Sequence, residues 1–315
     1  MSPTEPNPNS ATEGRVVAPY GTWPSPLTPK LAAEGGPRFG DLTMSTTGDG
    51  EPIVWYSTLE AGRQRVYRSV AGQRPQLVDQ VTSARSRVNE YGGGALWCHG
   101  ETLFWVEDAD QCVYRLDPDI DSLAQRLTGP GEPARSVRHS SGTVEPGGRW
   151  MVVERELHVD NGEQLDEATN ELAWIPTTGG VARTLWRGPD FVAAPTISPT
   201  GEAIAWLQWN HPDMPWDTAE LWAARLAEVG VGPTVVDPRR VAGGGSVAAC
   251  LPKWSPEGTL WWCDDRTDSW LLRHAEAPGV PAEAMGDDAP APRTPLGDAG
   301  GVGADVGEPR WVAGG

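Results

Sequence analysis

The sequence predicts an all-β fold, a β-propeller of about five four-stranded blades, and three observations carry that expectation. The strings VEPGGRWMVVE, ISPTGEAIAWLQW and WSPEGTLWWCDD recur around Pro146, Pro199 and Pro256, at spacings of 53 and 57 residues. Looser copies, GDGEPIVWYS from Gly48 and CHGETLFWVED from Cys98, stand about fifty residues apart upstream. Each copy is an apolar residue, a tight Pro/Gly turn and an alternating aromatic and β-branched run, the chemistry of two short strands joined by a hairpin. A period of roughly 40 to 60 residues with several strands per unit marks a propeller blade.

The elements follow in chain order. Residues 1–17 are rich in Pro, Ser, Asn and Glu and lack the basic and apolar regions of a secretory signal, so they read as a disordered leader. Residues 18–40 form an extension without blade chemistry. Within it Thr28 can cap and Pro29 can open a short helix over Lys30–Glu34, which Gly35 or Gly36 ends. The propeller is expected over residues 41–296. Its first unit runs from Asp41 to about Val88. The second has strands Ala95–Cys98, Thr102–Glu107, Cys112–Leu116 and Gln125–Thr128, the innermost first. The third runs from about Ser141 to Pro189. The fourth has Pro195–Ser198, Ala203–Trp209, Glu220–Arg225 and Arg239–Ala242. The fifth runs from Ala248 to Leu296, with Arg293–Leu296 as its outer strand. In the tail, residues 297–315, EPRWVAGG (Glu308 to Gly315) has the look of an inner strand opening a sixth unit. The ring is therefore expected to be incomplete or open, a state that exposes strand edges and an apolar blade face and favours self-association.

Sixteen tryptophans is a large share for 315 residues, and most fall on strands. Because they track the repeat, they read as wedge-fillers between blades, each burying ~150–250 Å², rather than as a stacking platform.

Charge narrows the partners. The chain carries 43 acidic against 25 basic residues, a net charge of −18. Nucleic acid and anionic membranes both reward Lys and Arg, so neither is expected. No apolar stretch approaches the ~20 residues that span a bilayer. With no signal visible, a cytoplasmic location is the expectation. Cys98, Cys112, Cys250 and Cys263 form no C-x-x-C pair, and the five histidines lack ligand spacing, so no metal site and no cofactor are expected. An intrablade disulfide is conceivable, but free thiols fit the expected compartment better.

The segments APYGTWPSP, SRVNEYGGG, ADQCVYRLD, NELAWIPTTGG and above all WLQWNHPDMPWDTAELWAARL (Trp206 to Leu226) resemble the N-terminal propeller of prolyl oligopeptidase-family serine peptidases, nearest the dipeptidyl aminopeptidase and acylaminoacyl-peptidase branch. The resemblance covers about Ala18 to Arg273 and resumes at Glu308. One departure is Asn89, where the family pattern leads us to expect His. In that family a Ser-Asp-His triad sits on a separate α/β-hydrolase domain that cleaves peptides or acyl-peptides, and the propeller limits access to short substrates. Here no nucleophile elbow of the form G-x-S-x-G is present, and Ser141 and Ser246 lack both the frame and the context. The resemblance thus implies a gating propeller that is not catalytic by itself. Its expected partners are an α/β-hydrolase catalytic domain, missing or separately encoded, and short peptides.

Two clusters carry the site expectation. Arg87, Glu90 and Tyr91 lie on the connection into the second blade, where a carboxylate can bind a substrate amine or an arginine of a docked domain; the plainer alternative is an ion pair of Glu90 with Arg87 or Arg85. Trp216 and Asp217 follow two stiffening prolines and can line a pocket, or else Asp217 caps a turn and Trp216 packs on its blade. A stand-alone propeller acting as a binding or scaffold module is the alternative reading. A five-bladed glycosidase would need two converging carboxylates, and Asp41, Glu145 and Asp190 are the nearest acids.

Overall fold

The computed structural model describes residues 19, 27–30, 38–158, 167–230 and 232–275. Among them the chain is a five-bladed β-propeller whose strands pair antiparallel in chain order. Blade 1 comprises β1 (Phe39–Thr46), β2 (Pro52–Glu60), β3 (Arg63–Val70) and β4 (Gln76–Leu77). Blade 2 comprises β5 (Leu96–His99), β6 (Thr102–Val106), β7 (Val113–Leu116) and β8 (Gln125–Arg126). Blade 3 comprises β9 (Val137–Val144), β10 (Trp150–Leu157), β11 (Thr169–Pro176) and β12 (Arg183–Trp186). Blade 4 comprises β13 (Phe191–Ile197), β14 (Ala203–Trp209), β15 (Glu220–Val229) and β16 (Gly232–Ala242). Blade 5 shows β17 (Ala249–Trp254), β18 (Leu260–Asp264) and β19 (Leu271–Ala275). The outer strand expected at Arg293–Leu296 and the tail at 297–315 lie outside the described residues, as does most of the helix expected at Lys30–Glu34; Pro29 and Lys30 are helical.

Four apolar cores join the blades face to face. Ile53 and Trp55 meet Leu103 and Trp105 between blades 1 and 2. Trp97 and Phe104 meet Met151 and Ile175 between blades 2 and 3. Val152 and Leu172 meet Ile204 and Trp206 between blades 3 and 4, and Leu207 and Leu221 meet Leu260 and Trp262 between blades 4 and 5. The tryptophans expected as wedge-fillers hold that position at Trp55, Trp105, Trp206 and Trp262, all fully buried. Flat indoles on a period-2 strand fill the space between twisted sheets that aliphatic side chains would leave void.

The inner strands share one irregularity. Ser141, Ala194 and Leu251 have left-handed backbone, with φ of 49°, 49° and 54°. Each lies five residues before the proline of its turn (Pro146, Pro199, Pro256), and each coincides with a register shift against the second strand. A bulge adds an unpaired residue and bends its strand. This explains two corrections to the expected boundaries. The inner strand of blade 3 begins at Val137 rather than about Ser141, and that of blade 4 at Phe191 rather than Pro195. In both, pairing continues upstream of the bulge, where the alternation in the sequence breaks.

Candidate functional site

With the inner strand first in each sheet, the connections into inner strands and the turns between second and third strands emerge at the same end of the blades. At that end a cleft of about 290 Å³ forms across blades 2, 3 and 4. Asn89, Glu90 and Tyr91 supply one wall from the connection into blade 2. Glu156 and His158, at the close of β10, and Glu167, Ala168 and Asn170, where β11 begins, supply the second. Phe191, Trp209, Met214 and Pro215 of blade 4 supply the third.

The first wall is a strained loop held from several sides. Asn89 and Glu90 both have positive φ, 53° and 65°, and Gly92, Gly93 and Gly94 continue the left-handed run. A side chain at Gly92 would lie 2.2 Å from the Ser86 carbonyl oxygen, so only glycine lets the loop double back here. The Asp41 carboxylate accepts from the Gly94 and Ala95 amides at 3.2 and 2.7 Å, and the Ser141 amide donates to the Gly94 carbonyl at 2.7 Å. The Asn89 amide donates to Glu156 Oε2 at 2.7 Å.

Glu156 is the hub of the acidic floor. Its side chain is buried and also receives Arg138 Nη1 at 3.0 Å and the His158 ring. Arg138 Nη1 reaches Glu90 Oε1 at 2.7 Å and the Arg87 carbonyl at 2.8 Å. The hydrogen bond from Arg138 holds the Glu90 carboxyl below the usual carboxylate range. Burial pushes the Tyr91 hydroxyl up, and the nearby Glu154 carboxylate adds to it. The apolar wall is ordered by ring contacts: Phe191 stacks on Trp209 at 5.1 Å and meets His211 edge-on at 4.8 Å. His211 in turn pairs with Glu167. The Asn89 and Asn170 side-chain oxygens are buried without a protein donor.

The five residues singled out from sequence are thus partly brought together. Glu90 and Tyr91 line the cleft. Arg87 does not; it bonds Asp108 of its own blade, with Nε at 2.9 Å from Oδ1. The partner of Glu90 is Arg138 of blade 3, not Arg87 or Arg85, because the left-handed turn at Asn89 and Glu90 faces the neighbouring blade. Trp216 and Asp217 sit one turn beyond the wall on a short helix, α1 (Pro215–Thr218). Asp217 caps its start by accepting from the Met214 amide at 3.0 Å, and Trp216 is 60% exposed instead of packing on the blade. The cleft uses their neighbours Met214 and Pro215.

Sequence reasoning missed Arg138, Glu156, His158, Asn170, Phe191 and Trp209. A signal existed for one of them. In WMVVEREL (Trp150–Leu157) the charged run Glu154–Arg155–Glu156 follows four apolar residues, and both glutamates are buried; buried acids in such a strand mark a site.

Among the described residues no helix is long and apolar enough to cross a membrane, and no group of His, Cys, Asp and Glu side chains is arranged to hold a metal ion. The four cysteines are free thiols.

No protein-family profile and no curated protein matches the sequence. Solved structures do. A puromycin-hydrolysing peptidase of Mycobacterium tuberculosis is similar with a TM-score of 0.67 and 29% identity, over 84% of this chain and 41% of its own. A puromycin hydrolase gives 0.64 and 28%, over 82% and 40%. Prolyl oligopeptidase B from Galerina marginata, at 0.50 and 11%, shares the fold alone. The chain spans about two-fifths of the length of the two peptidases it matches best among these.

Proposed function

We propose that this chain, which resembles the N-terminal propeller of prolyl oligopeptidase-family serine peptidases, admits short peptides to an α/β-hydrolase catalytic domain and holds their amino end at the Glu90 cleft. One observation carries the reading. Three carboxylates (Glu90, Glu156, Glu167) and two unpartnered amide oxygens converge opposite an aromatic wall of Tyr91, Phe191 and Trp209. A peptide's ammonium satisfies the acceptors, and its first apolar side chain has rings to lie against. Arg138 neutralises part of the acidic floor and keeps Glu90 fixed, so the ligand does not have to order it. The location supports the same reading, because the cleft opens among connecting loops of three blades, where recognition residues gather on a rigid scaffold.

Bond cleavage is assigned to the hydrolase domain, and the triad is carried onto no residue of this chain. The propeller's part is to position and to select by size. Titration calorimetry of the full chain tests the reading with a free-amine tripeptide, its N-acetyl form and puromycin, the compound named for two of the matched peptidases. We expect the two free amines to bind and the acetyl peptide to bind at least about tenfold more weakly, the equivalent of one lost charged contact. Equal affinity for the free and acetylated forms would overturn the amine assignment.

A further inference from the structure

We infer that Glu154 is the proton-linked residue of the cleft: it keeps its proton while the site is empty and gives it up to solvent when an ammonium ligand settles beside Glu90 and Glu156. This role deepens the amine-binding reading and rests on it. Three observations lead there.

The first is that the fold does not require an acid at this position. In blade 3 the residue just before the bulge, Ser140, pairs with Glu154. The same register joins Ala193 to Leu207 in blade 4 and Cys250 to Cys263 in blade 5. The bulge residues themselves are Ser141, Ala194 and Leu251. Blade 3 thus gathers a carboxyl and two hydroxyls where the next two blades place Ala, Leu and Cys. Ser140 Oγ donates to Glu154 Oε2 at 2.7 Å, and the Ser141 hydroxyl bonds the same carboxyl. A regular strand sends successive side chains to opposite faces; the extra residue of a bulge lets two neighbours meet one partner.

The second is the want of a counter-charge. Among the described residues the other buried acids, Glu145, Glu156, Glu171 and Asp264, each pair with an arginine. Glu154 is buried, and no Lys, Arg or His among the described residues pairs with it. The ionisable groups that face it are Glu156, on the same side of β10, and Tyr91. Leu172 lies opposite it on β11, and β13 of blade 4, packed over this side of β10, carries no ionisable residue. Burial without a cation favours the neutral carboxyl and pushes it up to about 7.

The third is place. Glu154 stands two residues from Glu156, the floor of the cleft, about 7 Å along one side of the strand. Tyr91 of the cleft wall is near enough to both acids for their charges to bear on its hydroxyl. The loop that carries Tyr91 is tied at the Gly94 carbonyl to the Ser141 amide. An ammonium held at Glu90 and Glu156 therefore brings Glu154 the positive charge its surroundings lack. At such separations in a buried site an opposite charge favours the ionised carboxyl. Binding then expels the proton, and affinity rises as pH climbs through about 7, until the ligand's own amine begins to lose its charge.

Titration calorimetry of the full chain with a free-amine tripeptide at pH 6.5, in buffers of different ionisation enthalpy, counts the protons exchanged. We expect roughly half a proton released per peptide bound, and an affinity that rises several-fold from pH 5.5 to 7. In Glu154→Gln most of the release should be lost and the rise should flatten. No release in the wild type would overturn the assignment, and so would release unchanged in Glu154→Gln, because His158 or His211 would then be the source. Infrared difference spectra of the wild type decide the matter should the variant fold poorly: the band of a protonated carboxyl is expected to weaken on binding, and a band that survives saturation counts against Glu154. The N-acetyl peptide separates the two readings. If free and acetylated peptides bind equally, the amine site fails and the role of Glu154 fails with it. If the free peptide binds better yet releases no proton, the amine site stands and the role of Glu154 alone is excluded.

Discussion

Glu90, on the connection into blade 2, is held by Arg138 of blade 3 at 2.7 Å, and the same guanidinium nitrogen reaches Glu156 at 3.0 Å. The two acids differ in what they need from it. The Glu90 side chain is 77% exposed, whereas that of Glu156 is 3% exposed. Removing the Glu90 charge with Glu90→Gln is expected to change stability by less than about 1 kcal/mol, the range of exposed pairs. Arg138→Met leaves the buried Glu156 carboxylate with only the Asn89 amide and the His158 ring and should cost more, about 2–3 kcal/mol, toward the low end for breaking a buried pair. Urea unfolding of the two variants checks the contrast.

Glu154 gives the protein a pH slope. Burial pushes its carboxyl up to about 7 from 4.5, against hydrogen bonds from the Ser140 and Ser141 hydroxyls. Its folded pKa is raised, so its neutral form is the favoured one, and the stability it contributes is lost as pH climbs from about 4.5 through 7. Buried His139 acts in the opposite sense. Burial lowers it to about 4, so stability is lost as pH falls from about 6.5 toward 4. The two slopes oppose each other between about 4.5 and 6.5. Glu154→Gln should raise stability by roughly 3 kcal/mol at pH 8 and leave the acid-side loss from His139 uncovered. Melting temperatures at pH 5, 6.5 and 8 measure this; a variant with the wild-type slope would disprove it.

Glu171 is fully buried, and it binds two guanidiniums, Arg155 and Arg187, with Thr184 donating at 3.0 Å. Glu171→Gln leaves the largely buried Arg155 without its counter-charge and is expected to destabilise by about 3 kcal/mol or more. Arg187→Ala, at a side chain that is 50% exposed, should be milder. Denaturant midpoints of the pair give the ranking.

Two glycines separate strain from collision. Gly50 and Gly92 have φ of 85° and 73°, and only Gly92 has a neighbour in the way, the Ser86 carbonyl at 2.2 Å from an added methyl. Gly50→Ala should lose about 1–2 kcal/mol from the left-handed backbone alone. Gly92→Ala should lose more and also displace Glu90, weakening any amine-bearing ligand of the cleft. Thermal unfolding together with the binding titration distinguishes the two effects.

Legibility followed the range of the forces involved. The second strand of blade 4, Ala203–Trp209, is the same in sequence and structure, because strand alternation and a Pro-x-Gly turn are both local. The bulged inner strands were misplaced at their starts, since the left-handed residues Ser141 and Ala194 carry no side-chain signature. The cleft was legible only in part. Glu90 and Tyr91 stood out in the NEYGGG string, but the pairing of Glu90 with Arg138 spans 48 residues and two blades, which no periodicity encodes. Trp209, Met214 and Pro215 lay inside the most distinctive string of the sequence, beside the residues chosen from it.

Four interfaces joining five sheets in a row have a mechanical consequence. Each middle sheet is clamped from both sides, while the first and last each lean on a single neighbour among the described residues. Stability then behaves as a sum along a line, as it does in stacked repeats. Amide exchange should grade accordingly, slowest in β10 and β14 and fastest toward β2 and β18, so that the molecule frays from its ends inward.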